Sequence, residues 1–238
     1  RIRYIKMHEK EGVYLPVGEV KFRIPSDIVS LDRLLGGGLP SGKIIQLYGH
    51  EFVGKSSIAL HFIASAQRRG YNPVFIDAEN KYDSNYAKAI GVDVDNLYYI
   101  GQSFIEITFS MIYDMLQDPT IKLFVIDSIA SLSPQIIDEK EDATSPIGSH
   151  ARAIQNGINR IKNRLFENDA ILLIVNQERT DIKPQYSSLK PTGGMGLQYA
   201  SSIKIDCTVT SANRIEVDKA RLLSGFTTQL LIKKSQCP

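Results

Sequence analysis

The chain has 238 residues, room for one large α/β domain or two small ones, and no apolar run in it reaches the length of a membrane-spanning helix. Hydrophobic residues make up 43% and charged residues 23%, the balance of a globular protein. The net charge is only +2, so the chain is not basic throughout and any surface for nucleic acid must be local.

No signal peptide is visible, and Cys207 and Cys237 lack metal-ligand spacing, so a reduced, cytoplasmic protein is expected. The chain starts at Arg1 and stops after a strand-like run, so both ends are expected to be cut. Residues 1–28 read as an arm or linker broken by Gly12, Pro16, Gly18 and Pro25, with residues 29–238 as the core. Residues 30–35 read as a capped helical turn stopped by Gly36, Gly37 and Gly38.

Residues 44–48 read as a buried strand and 57–69 as a helix. Further strands are expected at 73–77, 97–100, 122–127, 171–175, 203–209 and 229–234. Helices are expected at 104–116 and 148–166, the second with Ala151, Ile154, Ile158, Ile161 and Leu165 on one stripe. Residues 135–146 and 178–196 read as polar loops. Strands alternating with helices predict an α/β fold, a mainly parallel sheet with helices on both faces.

Between the first of these strands and its helix, residues 49–56 read G-x-x-x-x-G-K-S, the phosphate-binding P-loop. Gly49 and Gly54 let the backbone curl so that its N–H groups reach phosphate oxygens, and the following helix adds unpaired donors. Lys55 is a point charge for the outer phosphates, and the Ser56 hydroxyl suits Mg²⁺. Ligands in such sheets gather beyond the carboxyl ends of the strands. There Asp127 is placed to support Mg²⁺, Glu79 to take a proton from an attacking water, and Gln177 to orient that water or sense the terminal phosphate.

Residues 49–57, Phe75-Ile76-Asp77-Ala78-Glu79, Val125-Ile126-Asp127-Ser128 and Val175-Asn176-Gln177 together resemble the ATPase core of the RecA family of recombinases. The likeness covers nearly the whole chain, and Ser30-Leu31-Asp32 and Gly38-Leu39-Pro40-Ser41-Gly42 resemble the family's lead-in to the P-loop. It implies a RecA-like P-loop core that uses ATP and Mg²⁺, with Glu51 and Ser57 in the nucleotide site. Glu79 resembles the general base, and Gln177 the switch between the γ-phosphate and a DNA-binding loop. Asp83 and Tyr86 resemble adenine contacts. Ile147, Gly148 and Arg152 match the end of a first DNA-binding loop, and Arg179, Ile182, Tyr186, Gly193 and Gly194 match a second.

The resemblance implies single-stranded and double-stranded DNA as partners, self-association into a helical homo-oligomer, and no membrane. Residues 12–18 resemble a strand that docks on the next subunit. Lys234 resembles a lysine reaching the neighbour's phosphate, whereas the second such position reads as Gln236, a departure that bears on the strength of hydrolysis. The segment 194–199 is shorter than the family pattern, and the family's C-terminal domain and most of its N-terminal helix have no counterpart here. The expected function is an ATP-dependent recombinase that forms a filament on single-stranded DNA. The rivals are a RecA-like accessory protein with weak hydrolysis and a kinase or helicase-type motor on the same core.

Overall fold

The structure is a computed structural model that describes residues 20–135, 146–180, 189–217 and 220–236, with backbone alone at 146–147, 179–180, 189–191, 212–217 and 220–224. Near its start, β1 (Arg23–Ile24) pairs antiparallel with β2 (Leu39–Pro40) around α1 (Val29–Leu34). The main sheet holds β3 (Ile44–Gly49), β4 (Val74–Asp77), β5 (Tyr98–Gly101), β6 (Leu123–Asp127), β7 (Ile171–Thr180), β9 (Ile203–Val217) and β10 (Ala220–Ser235). Their order is β10-β9-β3-β7-β6-β4-β5. Every neighbouring pair is parallel except β10 with β9. A short strand, β8 (Leu189–Pro191), pairs antiparallel with the far end of β7.

Helices α2 (Lys55–Arg68), α3 (Ser84–Ile90), α4 (Ile105–Met115), α5 (Pro146–Glu167) and α6 (Gly194–Ala200) complete the domain. The central strands are apolar along most of their length because each faces two cores; Gln46 in β3 is a buried polar exception. Leu123, Val125, Leu173 and Ile205 pack with Phe62 and Ile63 of α2. Phe124, Ile126, Leu172 and Ile174 pack with Phe109 and Ile112 of α4 and Ile158 and Ile161 of α5. Continuous apolar runs are what a doubly covered parallel sheet requires. The mostly parallel α/β core is therefore the one the alternating pattern predicts. The stripe on α5 is also as expected: Ile154, Ile158, Ile161 and Leu165 are buried, while Ala151 is half-buried.

Several boundaries differ from the sequence reading. The end of the expected arm is packed structure: Ile24 is fully buried, and buried Ser26 bonds Asp32 through both its N–H and its hydroxyl. Residues 178–180 are not loop but the end of β7, with Arg179 opposite Lys190 in β8. The strands expected at 203–209 and 229–234 are the inner halves of one long hairpin, Ile203–Val217 with Ala220–Ser235. Past the sheet, these two strands pair with each other. Helix α6, which begins in the last residues of the expected loop and runs past it, contains two glycines, and its position depends on packing against α5.

Gly157 shows how tightly α4 and α5 meet: a Cβ there would lie 2.2 Å from Cδ2 of Phe109. Gly→Ala in a helix ordinarily stabilises by about 0.5–1 kcal/mol, but overpacking a core costs about 1–3 kcal/mol. The clash wins, so Gly157→Ala is expected to lower unfolding stability by roughly 1–2 kcal/mol, read by thermal or urea melts.

Candidate functional site

The P-loop joins β3 to α2 at the carboxyl edge of the sheet. Gly49 has φ +150°, and a Cβ on it would sit 2.2 Å from the carbonyl oxygen of Cys207, so no other residue fits against β9 there. Gly54, at φ +86°, turns the chain into the first turn of α2 in the left-handed conformation that favours glycine. Lys55 is buried, and its Nζ donates to the carbonyls of Gly49 (3.0 Å) and His50. Burial pulls its pKa down, against the attraction of Cys207, Asp127, Glu51 and Glu79. An ammonium held under a glycine-rich turn with nearby carboxylates is poised for a polyanion.

The register across the sheet brings the other candidates to the same edge. Gly49 pairs with Gln177, and Asp77 pairs with Asp127. Glu79 lies just beyond β4. Its Oε1 accepts from the Ser128 hydroxyl, the Ser131 hydroxyl and Gln177 Nε2, each at 2.8 Å. Its Oε2 pairs with Lys81 at 2.5 Å. Burial pushes the Glu79 carboxyl up, but the bonds from Lys81, Ser128 and Ser131 outweigh it and hold the pKa below the ordinary value. Glu79 is thus ionised at neutral pH and fixed in direction by donors from three elements.

Some of this framework was not picked out from sequence. Asp77 is buried and accepts from the backbone N–H of Glu79 (3.0 Å), the N–H of Tyr82 (2.9 Å) and the Tyr99 hydroxyl (3.1 Å). It sets the turn that carries Glu79. Asn176 is fully buried; its Nδ2 donates to the Thr192 carbonyl (2.7 Å) and its Oδ1 accepts from the Thr192 hydroxyl (2.5 Å). The Thr192 hydroxyl also reaches the Gln177 carbonyl at 2.9 Å. Asn176 and Thr192 therefore tie the strand end bearing Gln177 to the segment returning from β8. The sequence signal for Asp77 and Asn176 was a polar residue closing an apolar strand; Ser131 and Thr192 carried none.

Asp127, at the end of β6, accepts a hydrogen bond from Ser56, and its pKa is raised to about 6. Burial is the main cause; the Ser56 bond and Lys55 oppose it, while Glu79 and Asp77 add to it. A hydroxyl and an under-neutralised carboxylate are hard oxygen donors that fit Mg²⁺. Among the described residues no group of three or more His, Cys, Asp or Glu side chains is placed to hold a metal ion.

The sign of the Asp127 effect is testable. A carboxylate with a raised folded pKa penalises the fold when ionised; the penalty is absent below the unfolded value of about 3.8 and complete above about 6. In nucleotide-free protein at pH 7, Asp127→Asn is expected to raise stability by roughly 1–3 kcal/mol. The gain shrinks as pH falls from 6 to 4, which melts at a series of pH values would show.

The remaining candidates divide by location. Ser57 Oγ is 2.7 Å from the Tyr86 hydroxyl, and the Tyr86 ring is 48% exposed, which rules out core packing as its role. Asp83 caps α3, accepting from the N–H groups of Asn85 and Tyr86. Glu51 is exposed on the P-loop. Lys234 is not brought to this chain's own P-loop: it pairs with Lys204, which pairs with Gln46, and its Nζ donates to the carbonyls of Gln198 (3.3 Å) and Tyr199 (3.0 Å). Gln236 is exposed, with its N–H on the Ser202 carbonyl.

Gly148 and Arg152 are exposed near the start of α5, while only the backbone is described at Ile147 and Arg179. Gly193 and Gly194 have φ of +94° and +72° and lead into α6. A Cβ at either would meet Leu197 or Ala151 at 2.8 Å, so close packing explains both glycines. Ile182, Tyr186 and the expected docking strand at 12–18 lie outside the described residues.

Comparison with known proteins bears on the same edge. The family model described as the RecA N-terminal domain matches residues 16–236. Relatives named Protein RecA include that of Saccharopolyspora erythraea, 37% identical over 224 residues, or 90% of this chain and 62% of the relative. That of Aquifex pyrophilus is 35% identical over 202 residues, 82% of this chain and 58% of the relative. That of Rippkaea orientalis is 35% identical over 184 residues, 77% of this chain and 53% of the relative. The chain thus spans little more than half the length of such relatives.

Proposed function

The chain belongs to the RecA family, and on that premise we propose that it is an ATP-dependent recombinase that assembles on single-stranded DNA and promotes homologous pairing with double-stranded DNA. The observation that carries this reading is the 2.8 Å hydrogen bond from Gln177 Nε2, on the strand next to β3, to Glu79 Oε1, just past the end of β4. It puts the candidate water-activating base and the candidate phosphate sensor in one hydrogen-bonded unit, with the sensor at the entry to the β7–β8 segment.

In this reading the P-loop N–H groups and Lys55 hold the phosphates of ATP. Ser56, backed by Asp127, would hold Mg²⁺, which when bound neutralises charge on the β- and γ-phosphates. Glu79 accepts the proton of the attacking water. Gln177 exchanges its bond to Glu79 for contact with the terminal phosphate. Through Thr192 that exchange would move the end of β7, where Arg179 would meet the DNA backbone, and with it residues 181–188, of which Ile182 and Tyr186 would meet bases. Tyr86 offers its exposed face to adenine, beside Asp83.

Self-association into a helical filament follows if residues 12–18 add to a neighbour's sheet edge and Lys234 reaches a neighbour's nucleotide. Lys234 lies away from its own P-loop, as a residue acting in trans must. No described helix is long and apolar enough to cross a membrane; a cytoplasmic location is part of the proposed reading, as work on DNA would require. The test is electron microscopy of the protein with single-stranded DNA and a non-hydrolysable ATP analogue, paired with phosphate release and strand-exchange assays. Filaments, DNA-stimulated release and exchanged strands are expected; the absence of all three overturns the proposal.

A further inference from the structure

The hairpin of β9 and β10 runs past the sheet and returns over the P-loop. A register shift between Thr227, opposite Ser211, and Thr228, opposite Val209, leaves Thr210 as the extra residue. Such a bulge bends a strand and re-aims its side chains. Here it accompanies a long-range contact: the Thr228 hydroxyl donates to the carbonyl oxygen of Val53 at 2.8 Å. Beside it, the Phe226 ring lies 3.5 Å from where a Cβ on Gly54 would be, and Thr228 Oγ1 lies 3.7 Å from the same point. Two side chains from the outermost strand thus rest on consecutive residues of the P-loop.

The peptide between Val53 and Gly54 is the link they control. In a trans peptide the carbonyl and the following N–H point in opposite directions. Fixing the Val53 carbonyl on Thr228 therefore turns the Gly54 N–H away from the hairpin. Gly54 sits in the left-handed region, and a glycine with no neighbour to hold it samples several conformations at little cost. A donor that must meet phosphate is more effective when its direction is set before the anion arrives.

We propose that Thr228, backed by Phe226, is a positioning residue for nucleotide: it fixes the Val53–Gly54 peptide so that the Gly54 N–H is pre-aimed at a phosphate oxygen. This rests on the reading of residues 49–56 as the nucleotide site. The residue acts in the ground state and touches no reacting atom, so it governs affinity and not the chemical step.

The test uses Thr228→Val, which removes the hydroxyl at constant shape, with Thr228→Ser to restore it and Thr227→Val as a control on the same strand. Nucleotide affinity is read with a fluorescent ATP analogue, and the Gly54 amide by hydrogen exchange in nucleotide-free protein. Thr228→Val is expected to weaken affinity roughly three- to tenfold and raise the KM for ATP to match, with kcat unchanged and faster Gly54 exchange. Thr228→Ser and Thr227→Val are expected to stay within about twofold of wild type, the scatter allowed for a surface change. If wild type binds nucleotide and Thr228→Val binds it equally well with unchanged exchange, the inference is wrong and the P-loop reading stands. If wild type binds no nucleotide, the P-loop reading itself fails. Should Thr228→Val lose its fold, Thr228→Ser decides alone: its affinity and Gly54 exchange must match wild type, and a loss there overturns the inference.

Discussion

In the Glu79→Gln variant, ATP hydrolysis is expected to fall by roughly 10²–10⁴-fold, the range for losing a general base, while ATP and DNA binding persist. The carboxamide is nearly isosteric and keeps one oxygen. That oxygen can still accept from Ser128, Ser131 and Gln177, all of which converge on Oε1 in the native protein. What disappears is the negative charge that would receive a proton from water. The pair with Lys81 is lost too, but the Lys81 side chain is 74% exposed, so its loss costs little stability. Phosphate release, nucleotide titration and filament imaging on one preparation separate these effects. Normal turnover removes Glu79 as the base.

The same carboxylate shows how far the sequence carries and where it stops. That Glu79, Asp127 and Gln177 lie at or near the carboxyl ends of strands was legible, because apolar runs of strand length give way to polar residues at fixed positions. Their register was not, yet the register decides the site: Gly49 opposite Gln177 places the candidate phosphate loop and the candidate sensor on adjacent strands. The buried support was invisible for a similar reason. Ser131 and Thr192 are ordinary polar residues in short irregular segments, and only the folded chain brings their hydroxyls to Glu79 and Asn176.

Helix α3 was missed although its signals were present. Asp83 caps its start, and Gly91, in the left-handed conformation, follows its end. The family resemblance implies a ligand role for Asp83 and Tyr86, and their local role on α3 is the additional one the structure shows. Asp83 accepts from the N–H groups of Asn85 and Tyr86, and this cap fixes the helix that presents the Tyr86 ring to solvent.

Replacing Lys55 by alanine carries the other large expected effect. Charge-assisted bonds to phosphate are worth roughly 1.5–3 kcal/mol each, so losing this ammonium is expected to weaken ATP affinity by about 10–100-fold or more. Filament assembly, which depends on bound nucleotide in the proposed mechanism, is expected to fail with it. The fold is expected to survive, because burial already disfavours the ammonium and its removal relieves that penalty while leaving the Gly49 and His50 carbonyls to water. A second readout checks the cause. Lys55 holds the Asp127 carboxyl down against burial, so the variant should titrate Asp127 above its native value of about 6. Carboxyl NMR on nucleotide-free protein would register that rise. A raised Asp127 pKa with unchanged nucleotide affinity would mean that Lys55 is a structural cation under a glycine turn; a raised pKa with lost affinity means that the same charge serves both the empty loop and the bound phosphate.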